Sequence, residues 1–511
     1  MKIFSPALSR LARLRYTQIE NWVHNPIAAQ REILQDLITH GQYTHFGRKY
    51  QFAEIFNIRK FKETVPIQEY TDLKPFIDQI IEGEESVLWN TPVEWFAKSS
   101  GTTSDKSKFI PITKESIEDN HFQASKDVLT IYYTALPESD LLTGKGLVIG
   151  GSHQVHPIKD QIQYGDLSAV LLQNSPFWST LIRTPELSIA LMDEWEEKIE
   201  SLAQSTIHED VSSIAGVPTW TLVLLKRILE ISGKATIKEV WPNFELYIHG
   251  GVSFTPYKDQ FHKIIGGACN YVEIYNASEG FFAAQDRIDE EGMLLFLNHG
   301  IFYEFMPTEE YGKENPTTVG LDKVVVGKNY AIIISTNGGL WRYLVGDTIQ
   351  FVNVNPFRIK VTGRLKQFMN AFGEEVISDN SDKAISQACE AFGVTIREYT
   401  AAPIYMSDEH TGAHEWLIEF DNAPSDLHEF TIALDKFLQG TNSDYEAKRH
   451  KDIALTLPKV IAVQEGCFHE WLKRKGKLGG QHKVPRLSNE RVFIEEIKLI
   501  HQELLIQAGL L

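Results

Sequence analysis

Cysteine is scarce in this chain: Cys269, Cys389 and Cys467 are the only three, far apart and odd in number. Neither a disulfide framework nor a cysteine-based metal site fits that spacing, and a reducing compartment is the expected home. Positive charge is short as well, with 50 Lys and Arg against 68 Asp and Glu and a formal charge of -18. A general nucleic-acid binder needs a basic face to neutralise phosphates, so that class is excluded. An anionic ligand must instead be met by locally placed cations and backbone donors. No run approaches the ~20 apolar residues of a membrane-spanning helix. The opening MKIFSPALSRLARLRYTQIENW lacks the apolar core and small-residue cleavage site of a secretory signal. Its Leu, Ile and Trp positions recur at helical spacing and predict a core-facing helix. The chain reads as soluble and cytoplasmic, without membrane insertion.

Several motifs are also missing. There is no internal repeat, no low-complexity linker and no Walker A loop. Gly144-Lys145-Gly146 precedes its apolar run instead of following it, which removes a dinucleotide loop. Gly251-Val252-Ser253 lacks the last glycine of a nucleophile elbow. His410 and His414 have the i, i+4 spacing without the His-Glu-x-x-His order, which argues against a zinc pair.

What is present is ample core material. Of 511 residues, 43% are apolar and 11% aromatic, more chain than one core usually supports, so at least two domains are expected. Residues 1 to 90 read mainly as helix, with PIAAQREILQDLITHG apolar on one face and Gly41 as its stop. From 90 to 365, apolar strand-like runs (GLVIGGS, FELYIHGG, YVEIYN, MLLFLN, IFYEFM, YAIIIST) alternate with helical ones (LSIALMDEWEEKIESLAQ, TWTLVLLKRILEIS). That alternation predicts α/β layers. Asn337-Gly338-Gly339 between two apolar runs predicts a hairpin ending at Pro356. Beyond it, SDNSDKAISQACEAFG, LHEFTIALDKFLQG and a segment from about Glu490 read as helices, and REYTAAPIYM and HEWLIEFD as strands. The expectation is a large N-terminal α/β domain over 1–365 and a smaller α+β domain over 366–511.

FAKSSGTTSDKSKFIPIT sets Ser99, Ser100, Gly101, Thr102 and Thr103 in a row, followed by Lys108. Hydroxyls and N–H groups donate to phosphate oxygens, glycine lets the backbone approach, and a lysine adds a point charge, so a nucleotide phosphate site is the functional reading. By composition alone such a stretch is usually only a solvated loop, and its company decides. Tyr275-Asn276-Ala277-Ser278-Glu279-Gly280 follows an apolar run and is expected where a strand empties into a loop. There the Tyr275 ring suits a base and Glu279 suits a Mg²⁺ ion beside a triphosphate. LWRYLVGD ends in Asp347, an acceptor for both hydroxyls of a ribose, and VTGR ends in Arg364, a fixed cation with five donors. VLLQNSPFW and GVPTWTLVLL supply apolar lining for an acyl pocket, with Val217 and Trp220 as candidates.

SSGTT with Lys108, YNASEG and YLVGD, in that order and at that wide spacing, resemble the three nucleotide motifs of the auxin-responsive Gretchen-Hagen-type acyl acid amido synthetases, within the acyl-adenylate-forming ligase superfamily. VTGR followed by FGEEV resembles the hinge region of that family, and QHKVPR with Lys483 its C-terminal lysine segment. The similarity spans nearly the whole chain, with Asn276 and Ala277 departing from the plant pattern. It implies a large ATP- and acid-binding domain of β-sheets flanked by helices and a smaller mobile domain that brings Lys483 to the site. It further implies ATP and Mg²⁺ as cofactors, Lys108, Arg364 and Lys483 as catalytic cations, and adenylation of a carboxylic acid followed by acyl transfer to an amine such as an amino acid. Thioester formation with coenzyme A, and a nucleotide-binding interaction protein without turnover, are the alternatives.

Overall fold

The computed structural model describes residues 5–99, 108–150, 156–159, 162–192, 194–251, 254–288, 290–365, 368–369, 371–372, 374, 376–405, 412–449, 455–476 and 483–510. Helices occupy the first ninety positions as their apolar spacing predicts, beginning with Ser5–His24 and Pro26–Gly41. Pro26 stands where its missing N–H has no intrahelical partner to lose. Ile19, Trp22, Leu34 and Leu37 turn inward and are buried. The amino-terminal helix is thus core-facing, and among the described residues no helix is long and apolar enough to cross a membrane.

Two sheets follow. In the smaller, the strands run in the order Lys108–Ile112, Trp95–Ser99, Ile162–Gly165, His156–Lys159. Among the described residues the larger has eleven strands. Its parallel half, Lys145–Val148, Val211–Gly216, Leu246–Gly250 and Asn270–Ala277, is built with helical crossovers such as Pro218–Ser232. Its other half is antiparallel and takes in Gly280–Ala284, Met293–Leu295, Ile301–Pro307, Asn329–Thr336 and Tyr343–Val354. The mixed α/β architecture expected from the alternating runs is present. The predicted hairpin joins Asn329–Thr336 to Tyr343–Val354, with Gly339 at φ +87 in the connection. Gly233 closes the Pro218–Ser232 helix and Gly393 the Ser378–Phe392 helix, both in the left-handed conformation that glycine adopts without strain.

Two compact units divide the chain: Met1–Val217, Val223–Gly251 and Ile265–Val361 form one, and Pro218–Leu222, Val252–Ile264 and Thr362–Leu511 the other. The second unit has a three-stranded sheet, Thr395–Ile404, Ala413–Asn422 and Lys459–Val463. Trp416 and Ile418 face one core with the Ser378–Phe392 and Leu427–Thr441 helices, while Leu417 faces another with Cys467–Arg474 and Val492–Gln507. This is the period-two alternation of a strand buried on both faces.

One expectation is corrected. LSIALMDEWEEKIESLAQ forms two helices, Leu187–Ala190 and Trp195–Thr206, because Glu196 and Glu197 favour a new positive helix N-terminus.

Candidate active site

Ser99 and Lys108 face each other as the last of five register pairs between antiparallel strands that begin at Trp95↔Ile112. The hydroxyl run is therefore bracketed by two strand ends fixed against each other. Ser100, Gly101, Thr102 and Thr103 lie outside the described residues. Lys108 Nζ donates to the Tyr343 hydroxyl at 3.2 Å and lies 5.8 Å from the ring centroids of both Tyr70 and Tyr343. The Tyr70 hydroxyl accepts the Phe109 N–H at 2.9 Å, which fixes that ring beside the lysine. Aromatic faces attract an ammonium, so the two tyrosines form a cradle for it.

Tyr343 was not singled out in the sequence. It is fully buried at the start of its strand, and burial pushes its hydroxyl well above the ordinary range, with Glu279, Tyr70, Glu69 and Asp347 adding to the effect. The hydroxyl thus stays protonated while its oxygen accepts from Lys108. The residue before it, Arg342, has φ +43 and is held by a buried fork on Glu304, Nε to Oε2 at 2.8 Å and Nη2 to Oε1 at 2.9 Å. That pair fixes the entry of the chain into the strand.

Asp347 owes its direction to a bulge. Ala331 pairs with Thr348 and Ile333 with Leu344, so Ile332 alone faces Val345, Gly346 and Asp347. Gly346 at φ +94 absorbs the turn, and the extra residues re-aim the side chains that follow. Asp347 is buried, and its Oδ2 accepts the Tyr275 hydroxyl at 2.8 Å. The Tyr275 ring is itself buried, 4.8 Å from that of Phe282. Asn276 and Ala277 are still strand, and Gly280 pairs with Ala277, which leaves Ser278 and Glu279 as a two-residue turn. The expected loop at a strand end is thus a tight hairpin that reverses within Ser278 and Glu279. Ser278 is buried and Glu279 half-buried.

Within the first unit the three sequence motifs therefore meet: Lys108 touches Tyr343, Tyr275 touches Asp347, and Glu279 acts on Tyr343. Arg364 and Lys483 belong to the second unit. Arg364 ends the Phe357–Arg364 strand half-buried, and Lys483 is exposed ahead of buried Val484. Val217 caps the Pro218–Ser232 helix in extended conformation, in the first unit. Trp220 is half-buried against the second-unit core of Leu417, Phe468 and Trp471. His414 is buried with Nε2 3.0 Å from Glu374 Oε1, a structural pairing; His410 lies outside the described residues. Among the described residues no group of three or more His, Cys, Asp and Glu is placed to hold a metal ion.

The family model described as the GH3 family N-terminal domain matches residues 15–269, the GH3 family central domain residues 294–364, and the GH3 family C-terminal domain residues 379–492. Indole-3-acetic acid-amido synthetase GH3.3 of Arabidopsis thaliana is 22% identical, over 94% of this chain and 92% of its own. Jasmonoyl-L-amino acid synthetase JAR4 of Nicotiana attenuata is 25% identical, over 89% of this chain and 90% of its own. The solved structure of AtGH3.15 acyl acid amido synthetase in complex with 2,4-DB shares the fold with a TM-score of 0.79, at 17% identity and 96% coverage of both chains.

Proposed function

From the premise that this chain belongs to the GH3 family, we propose that it is an ATP-dependent ligase that adenylates a small carboxylic acid and transfers the acyl group to the amine of an amino acid. The observation that carries the site assignment is the meeting of Lys108 with Tyr343 at 3.2 Å and of Tyr275 with Asp347 at 2.8 Å. In this reading Ser99 to Thr103 and Lys108 hold the β and γ phosphates, Tyr275 to Ser278 border the adenine, and Asp347 accepts from the ribose. Arg364 and Lys483 serve as catalytic cations, and Val217 and Trp220 as acyl lining.

In the first step a carboxylate oxygen attacks the α-phosphorus and the bond to pyrophosphate breaks. Two anions approach each other, so the barrier falls only where donors match the charge that develops on the transferring group. In the second step the amine nitrogen attacks the acyl carbon, AMP leaves, and the amine loses a proton. No covalent enzyme intermediate is needed. Glu279 offers one hard oxygen ligand, which fits Mg²⁺ held by a carboxylate together with substrate phosphates rather than by an all-protein cage. When bound, the ion neutralises triphosphate charge. The unpaired thiols of Cys269, Cys389 and Cys467 suit a cytoplasmic enzyme.

The test is a matrix of acids and amino acids with ATP and Mg²⁺, read as pyrophosphate release and as product mass, beginning with aryl and medium-chain acids. Acid-dependent pyrophosphate and an amide product are expected. A coenzyme A thioester in place of the amide would reassign the acceptor. ATP binding without turnover across the whole panel would favour a nucleotide-binding interaction protein.

A further inference from the structure

We propose that Arg486 is the positioning residue that fixes Lys483, a role that rests on the ligase reading above. The chain just behind Lys483 is stitched onto the Thr395–Ile404 strand. Thr400 Oγ1 donates to the Pro485 carbonyl at 2.6 Å, the Ala401 N–H to the Arg486 carbonyl at 2.9 Å, and the Ser488 N–H to the Ala401 carbonyl at 3.1 Å. Val484 and Leu487 are buried on opposite faces of the sheet, Val484 with Leu417 and Leu487 with Tyr399. Lys483 is exposed one residue beyond this pinned stretch.

Arg486 adds what backbone pairing and apolar packing do not. The residue is 8% exposed and its guanidinium lies 4.5 Å from the Tyr399 ring centroid. Nη2 donates to the Tyr257 hydroxyl at 2.9 Å, Nη1 donates to the Tyr399 carbonyl at 3.3 Å and to the Glu398 carboxylate, and Nε stands 3.8 Å from Asp382 Oδ1. Asp382 in turn accepts the Tyr399 hydroxyl at 2.6 Å. Burying a guanidinium carries a desolvation cost that an apolar side chain of similar volume avoids, so packing alone does not account for it. The rigid fork instead ties the Ser378–Phe392 helix, the Thr395–Ile404 strand and the Thr255–Tyr257 turn to the residue three places after Lys483. For a lysine that must meet a transferring phosphoryl group, a misplacement of about 1 Å costs on the order of 100-fold in rate. Arg486 acts through Lys483 and touches no reacting atom.

The experiment compares wild type, Arg486→Gln, Arg486→Lys, Lys483→Ala and the Arg486→Gln/Lys483→Ala pair, each first checked for a cooperative melt. Amide exchange over 399–402 and 484–488 is measured in every form, and single-turnover adenylation is followed where the wild type supports it. Expected for Arg486→Gln are faster exchange in both stretches, adenylation slowed by up to about 100-fold with ATP KM within about twofold, and partial recovery in Arg486→Lys. In the Lys483→Ala background the same substitution is expected to add no further loss. Unchanged exchange, or an undiminished loss in that background, would overturn the proposal. If the wild type adenylates no acid, the ligase reading fails separately, and the exchange data still decide whether Arg486 pins this segment.

Discussion

Asp347 accepts the Tyr275 hydroxyl, and a carboxylate can take several donors at once, which suits the hydroxyls of a ribose. Asp347→Ala should therefore weaken ATP binding by about 1.5 to 3 kcal/mol, the range for hydrogen bonds to a charged group, as read by titration calorimetry; unaltered affinity would make Asp347 a strand residue only. Tyr343→Phe keeps the ring under Lys108 and deletes the 3.2 Å contact. It should cost about 1 kcal/mol in ATP affinity, and a variant indistinguishable from wild type would leave Lys108 held by the aromatic faces alone. Asp347 and Glu279 were legible because acidic residues next to glycine in a fixed motif order stand out. Tyr343 and Tyr70 were not: a tyrosine opening an apolar strand looks like core, and no spacing reveals that a ring from the helical start will share Lys108 with it. Nor did any pattern announce Arg342 and Glu304, whose fork depends on a tertiary approach.

Whole elements were easier to read where the chain is punctuated. Helices Pro26–Gly41, Pro218–Ser232 and Ser378–Phe392 were recognisable from an initial proline or a terminal glycine. The Lys459–Val463 strand was missed, since five residues beside a polar stretch carry too little period to count, and its partner Ala413–Asn422 is distant in sequence. The bulge at Asp347 is not legible either, because Gly346 signals a change of direction without saying that the strand continues. Gly346 yields a test at this scale. A Cβ there would meet no atom within 4 Å, so only its φ of +94 opposes a side chain. Gly346→Ala should lower stability by about 1–2 kcal/mol and, by re-aiming Asp347, also weaken ATP binding. Loss of stability with full ATP affinity would separate the bulge from the site.

At the scale of the whole molecule, the buried histidines set how stability responds to acid. Burial pushes His121 down to about 4 and His249 down to about 3, against an ordinary value of 6.5. Both are neutral when folded, and both take up a proton on unfolding below pH 6.5. The unfolded state binds more protons in that window, so stability must fall as pH falls. The His121 contribution changes by up to about 1.4 kcal/mol per pH unit until the folded ring itself protonates. Other groups titrate lower or in the opposite sense. Asp127, opposed by burial but held down by Arg15 and His299, loses its contribution only below the ordinary carboxylate range, whereas burial raises Asp382 and Glu419 and makes acid favour their folded forms. The raw acid slope is therefore a mixture, and the informative quantity is the difference made by one substitution. His121 is buried in the Ser116–Phe122 helical turn, and its Nδ1 has no hydrogen-bond partner, so His121→Gln removes the titration at a modest packing cost. Urea midpoints at about pH 7, about 5.5 and about 4.5 should converge between variant and wild type as the solution is acidified, or cross. Parallel curves would mean that His121 gains its proton without unfolding, through water reaching a ring that the fold encloses.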